Sequence, residues 1–174
     1  MRPDLHDLLK LFDSARDLRA YEFVPAEELP PPYHGLLVHS HHMTVTVEKH
    51  YGSQVDVKVL DSSHQDDIYA RKILLALQGS GKVVQFGLVR VRFEHVSQEV
   101  RDRIVAGKTP LGRVLIESNI LRTITPTAFL RILPGPTMLE WFGMKKIATV
   151  HGRLAVINCD DQPAVEVLEI MAPA

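Results

Sequence analysis

A chain of 174 residues, 45% apolar and 24% charged with a formal net charge of -1, has the size and composition of one globular domain able to bury a core. That near-neutral balance removes any global electrostatic reason to expect nucleic acid or an anionic membrane surface as partner. Cys159 is the single cysteine, so an intrachain disulfide scaffold is excluded, and no apolar run nears the roughly 18 to 20 residues that span a bilayer. The opening Met1-Arg2-Pro3-Asp4 turns acidic without an apolar leader core, which makes the cytoplasm the expected address.

Residues 4 to 20 read as a helix, because Leu5, Leu8, Leu9, Phe12, Ala15 and Leu18 recur at steps of three and four. The proline-rich stretch from Pro25 to Pro32 must end it and run extended. From about residue 42 the pattern becomes mostly period two, with Val55, Val57 and Val59 alternating with Asp56 and Lys58. Residues 68 to 77 and 82 to 93 predict two strands joined through Gly79-Ser80-Gly81. Residues 97 to 106 predict a helix capped by Ser97, and a second short helix is expected to start with Thr109 as cap and Pro110 as first residue. Strands follow near 120 to 133, 137 to 142 and 145 to 150. A last hairpin, 153 to 158 and 163 to 171, turns through Asp160-Asp161-Gln162-Pro163. The expected class is α+β, a single domain with a mostly antiparallel sheet and a few helices.

Three places can carry chemistry. Arg71 shares strand parity with Ile73, Leu75 and Leu77, and a cation on an apolar face needs an anion, which a bound carboxylate supplies in a bidentate fork. The alternative is an arginine at a strand end, reaching water or pairing with a structural acid. In Gly107-Lys108-Thr109-Pro110-Leu111-Gly112-Arg113, the amides of Leu111 and Gly112 would open a helix and suit an anion, although a well-capped helix explains the run as well. Glu169 shares parity with Val165, Val167 and Met171, opposite to Glu166. A half-buried carboxyl there suits a general acid, or else a structural partner for Arg71 or another base. His39, His41 and His42 read as surface or rim residues rather than metal ligands, and neither a phosphate loop nor a nucleophile elbow is present.

Taken together these segments resemble the bacterial chorismate lyase family over roughly residues 24 to 174. The run from Gly107 to Arg113, followed by Val114-Leu115, looks like that family's hallmark segment. Arg71-Lys72-Ile73-Leu74-Leu75 is similar to its Arg-x-Ile-Leu-Leu strand. Glu169-Ile170-Met171-Ala172-Pro173 resembles its Glu-Leu-Phe-Leu-Pro close, and Met43-Thr44 sits where it carries a Met-Thr pair. The resemblance implies a chorismate-lyase-like (UTRA-like) fold and conversion of chorismate to 4-hydroxybenzoate and pyruvate with no cofactor and no metal. It further implies that Arg71 and the amides of Met43 and Leu111, with Gly112 beside them, hold the ring carboxylate. Glu169 would then sit at the leaving end, so that Glu169 and Arg71 are the catalytic pair. One departure stands out. The family has a second arginine directly after the glycine of the next strand, and here Leu88 follows Gly87, with Arg90 and Arg92 further on.

Three functions follow in order of expectation: a chorismate pyruvate-lyase, a non-catalytic sensor of a small aromatic acid on the same fold, and an enzyme of that fold with another substrate. The fold also serves as the effector-binding domain of some transcription regulators, but the segment before residue 24 is too short for a winged helix and lacks a basic recognition face. The partner expected in every case is a small-molecule carboxylate, with no nucleic acid and no membrane span, and the oligomeric state is left open.

Overall fold

In the computed structural model, which describes residues 3–173, a single antiparallel sheet organises the chain. Its elements in order are α1 (Leu5–Lys10), β1 (Leu18–Val24), α2 (Tyr33–Leu37), α3 (Met43–Tyr51), β2 (Val55–Gln65), β3 (Ile68–Leu77) and β4 (Val83–Arg92). There follow α4 (Gln98–Ala106), α5 (Leu111–Glu117), β5 (Arg122–Pro134), α6 (Pro136–Trp141), β6 (Val150–Cys159) and β7 (Gln162–Met171). The seven strands lie in the order β1-β5-β6-β7-β4-β3-β2, every neighbouring pair antiparallel. The four central strands are apolar on both faces, which is why helices must cover both sides.

One face is covered by α1 and α6, which pack Leu5, Leu8, Leu9 and Met138 onto Leu74, Phe86, Leu88, Leu154 and Leu168. The other face carries two separate clusters. Helices α4 and α5 bring Val100, Ile104, Val114 and Leu115 onto Val89, Val91 and Val165. Helices α2 and α3 bring Leu36, Leu37, Met43 and Val47 onto Val55, Ile73 and Leu75. Each such side chain taken wholly out of water contributes about 1.5–3 kcal/mol. Because the two clusters do not merge, a cleft is left between them with the sheet as its floor. No helix among the described residues is long and apolar enough to cross a membrane.

Several expected elements come out differently. The first helix stops at Lys10, since Asp13 adopts a left-handed φ of 51°, and residues 18–24 form edge strand β1 paired with β5 rather than more helix. Leu18 continues the helical spacing by coincidence and is buried as a strand residue. The proline stretch contains a single 3-10 turn at Ala26–Glu28 and leads directly into α2. Period two does not begin at residue 42. The β-branched run Thr44-Val45-Thr46-Val47 is helical in α3, because Met43 and Val47, one turn apart, are both buried there and packing overrides propensity. Residues 137 to 142 belong to α6, started by Pro136, and the strand expected at 145 to 150 begins only at Val150. The last turn is as expected, with Asp160 and Asp161 both at positive φ.

Candidate functional site

The strand register places the candidate residues in three parallel rows on the cleft face. Arg71 lies opposite Val89, which lies opposite Val167. One step on, Ile73, Gly87, Glu169 and Arg153 form the second row across four strands. The third runs Leu75, Gln85, Met171, His151. Gly87 stands at the centre, where a side chain would meet Ile73 Cδ1 at 3.1 Å, so its hydrogen leaves the floor open. Helix α3 contributes His42, Met43 and Thr44 to one wall, and α5 contributes Pro110, Leu111 and Gly112 to the other. The cleft between them is narrow, about 40 Å³.

Arg71 is 1% exposed, yet the backbone acceptor it reaches is the Ile104 carbonyl, 3.3 Å from Nη1, and its Nε has no acceptor among the described residues. No carboxylate pairs with it among the described residues. Burial pulls its pKa below the usual arginine range, an effect the neighbouring Tyr69 partly offsets, and a guanidinium still stays charged at neutral pH. A buried cation without a counter-charge is costly and marks a place where an anion is welcome.

Gln85 faces the same cleft with its Oε1 buried and without a partner. At the walls two helix starts converge. The first amides of α3 and α5 have no acceptor within their helices, and their dipoles add positive potential beside Arg71. Gly112 makes this approach feasible: a Cβ there would sit 2.9 Å from Thr44 Oγ1 and 3.1 Å from His42 Cβ. An Arg113–Glu48 ion pair holds the two helices together.

Glu169 does reach the cleft, but its ion-pair partner is Arg153, not Arg71: Arg153 Nε donates to Glu169 Oε2 at 2.7 Å. Arg153 is 1% exposed and spends its other donors on backbone, the carbonyls of Leu37 (3.2 Å), His39 (2.9 Å) and His41 (3.4 Å). It thereby straps the α2–α3 connection across the cleft.

The register also settles the substitution at Leu88. Leu88, Arg90 and Arg92 point to the other face, where Leu88 joins the α1–α6 core. Both arginines bond the 2%-exposed Glu166 there, at 2.7 and 3.5 Å, so neither serves the cleft.

Met43, Arg71, Leu111, Gly112 and Glu169 are therefore brought together around one cleft. Three neighbours escaped the sequence reading. Arg153 shares strand parity with Ala155 and Ile157, which marks it as an arginine on a buried face. Gln85 is the one polar side chain in Val83-Val84-Gln85-Phe86, a run buried on both sides. His42 is not a rim residue. It is buried and accepts from Arg122 Nε at 2.9 Å, and burial first, then Arg122 and Arg153, lowers its pKa to about 4. His39 and His41 stack at the rim, 5.8 Å apart. Thr109 is not the cap of α5, since Pro110 occupies that position.

No protein-family model matches the chain, and no curated protein matches it in sequence. Among solved structures it is similar to the gene product SA0254 of Staphylococcus aureus subsp. aureus N315, with a TM-score of 0.53 and 13% identity over 71% of this chain and 85% of that one. It is also similar to the effector domain of PhnF from Mycobacterium smegmatis, with a TM-score of 0.53 and 12% identity over 76% of this chain and 88% of that one. At such identities the likeness is one of fold: an α+β, chorismate-lyase-like (UTRA-like) fold on a seven-stranded antiparallel sheet.

Proposed function

We propose that this chain is a sensor module that binds a small aromatic acid in the cleft between the two helix pairs. The observation that carries the reading is Arg71, a fully buried cation with an unused Nε and no carboxylate partner among the described residues. A ligand carboxylate takes the fork of Arg71 and reaches the amides at the starts of α3 and α5. The apolar side chains of Ile73, Leu75 and Val89 offer flat contact to a ring over Gly87. Support also comes from the PhnF effector domain, whose fold this chain shares. The cytoplasm is the address that suits such a module.

A second reading, a chorismate pyruvate-lyase, is favoured by Glu169 lying in the same cleft as Arg71. It is weakened by Leu88, which stands where that family has its second arginine and joins the opposite core, while Arg153, the other arginine on the cleft floor, is already paired with Glu169. Titration calorimetry with 4-hydroxybenzoate and incubation with chorismate separate the two. Binding without release of 4-hydroxybenzoate and pyruvate from chorismate is the result expected for the sensor. Protein-dependent release of both products makes the chain a lyase.

A further inference from the structure

Resting on the reading of the cleft as an aromatic-acid site, we infer that the Glu169–Arg153 pair makes it selective for acids bearing one negative charge and turns away diacids. The two arginines on the cleft floor are equally buried, but only one is available. Arg71 has an unused donor and no counter-charge. Arg153 is neutralised by Glu169 at 2.7 Å, and its remaining donors hold the carbonyls of Leu37, His39 and His41.

A ligand anchored by its carboxylate at Arg71 extends across Gly87 toward the row that holds Gln85. From Val89 to Gly87, whose row holds Glu169, is two residues of strand, roughly 7 Å, and Gln85 lies two residues further on. Two groups line that path. Glu169 is an anion paired with Arg153, and Gln85 is a neutral amide whose buried Oε1 has no donor among the described residues. A second carboxylate beside Glu169 would face an anion with no cation free to receive it, and like charges brought together out of water cost several kcal/mol. A hydroxyl, by contrast, donates to either oxygen. The site therefore favours a monoacid with an uncharged hydrogen-bond donor opposite its carboxylate.

The test is calorimetry at neutral pH and fixed ionic strength with 4-hydroxybenzoate, benzene-1,4-dicarboxylate and the monomethyl ester of that diacid. Wild type should bind 4-hydroxybenzoate at least about tenfold more tightly than the diacid, and the ester, which is larger but singly charged, should bind better than the diacid. In Glu169→Gln, nearly the same in shape, Arg153 is left uncompensated and the preference should shrink or reverse. The wild-type series stands whether or not that variant folds. Equal affinity of wild type for mono- and diacid overturns the inference, as does a folded Glu169→Gln protein with an unchanged ratio. If none of the three acids binds wild type, the aromatic-acid reading itself falls and the charge selection with it.

Discussion

The two faces of the sheet each bury charge, and they treat it in opposite ways. On the α1–α6 face, Lys72 Nζ meets Asp17 at 2.5 Å and Glu166 collects both Arg90 and Arg92. On the cleft face, Arg71 sits deeper than any of those three cations, with the Ile104 carbonyl and a stranded Nε. Desolvation is costly on both sides and greatest at Arg71, so a paired charge serves the fold and an unpaired one needs something from outside. Glu169 and Arg153 belong to the first kind by chemistry and the second by place, because a complete ion pair stands inside the cleft.

The largest effect expected from this contrast is on binding. Arg71→Ala should cost 4-hydroxybenzoate about 2–5 kcal/mol, roughly 30-fold to several thousandfold in Kd. The apo protein should not suffer in proportion: Arg71→Met, which fills the space without the charge, should leave the denaturation midpoint unchanged or raised. Unchanged affinity in Arg71→Ala would remove the anion site from the cleft.

On the opposite face the pattern inverts. Glu166→Gln should lower stability by about 3 kcal/mol, the lower end for a broken buried pair, because Arg90 keeps some access to water. Ligand affinity should stay the same. Urea denaturation alongside calorimetry reads both, and a variant that lost affinity but kept stability would erase the distinction between the faces.

His42 gives the cleft an acid limit. Its folded pKa, about 4, lies below the unfolded value of 6.5, so the folded state resists a proton that the unfolded chain takes up. Its contribution is complete above about pH 6.5 and is lost as pH falls toward 4, on the order of 3 kcal/mol. His39 and His151, also lowered by burial first, act in the same direction. The difference between wild type and His42→Gln, which keeps an acceptor for Arg122, isolates the His42 share. Wild type should lose more stability than the variant between pH 7 and pH 5, and parallel profiles would show that His42 does not resist protonation.

Much of this was legible in the sequence because strand parity is a strict rule. It put Arg71 with Ile73 and Leu75 and separated Glu169 from Glu166, and the register bears out both alignments. Parity says nothing of which strands become neighbours, however. The pairing of Glu169 with Arg153 depends on β6 lying against β7, and the sequence left the partner of Glu169 open between Arg71 and another base. The helices were harder to read. Apolar spacing ran past Lys10 because Phe12, Ala15 and Leu18 happened to fall in step, and α3 hid behind β-branched residues whose burial is decided by Leu36, Leu37 and Ile73.

The smallest expected effect concerns two helix starts that look alike in sequence. Ser97 and Thr109 each precede a helix as hydroxyl residues suited to capping. Ser97 Oγ accepts from the Val100 amide at 3.4 Å, whereas Pro110 stands at the cap of α5 with no side-chain bond. Ser97→Ala should therefore cost about 1 kcal/mol, and Thr109→Ala no more than about 0.5 kcal/mol. Thermal denaturation of the two variants decides it. A larger loss at Thr109 would mean that its hydroxyl does cap α5, leaving fewer amides for a ligand. A null result there is what an anion site at Leu111 and Gly112 calls for, since a capped helix start has already spent the donors that a carboxylate would use.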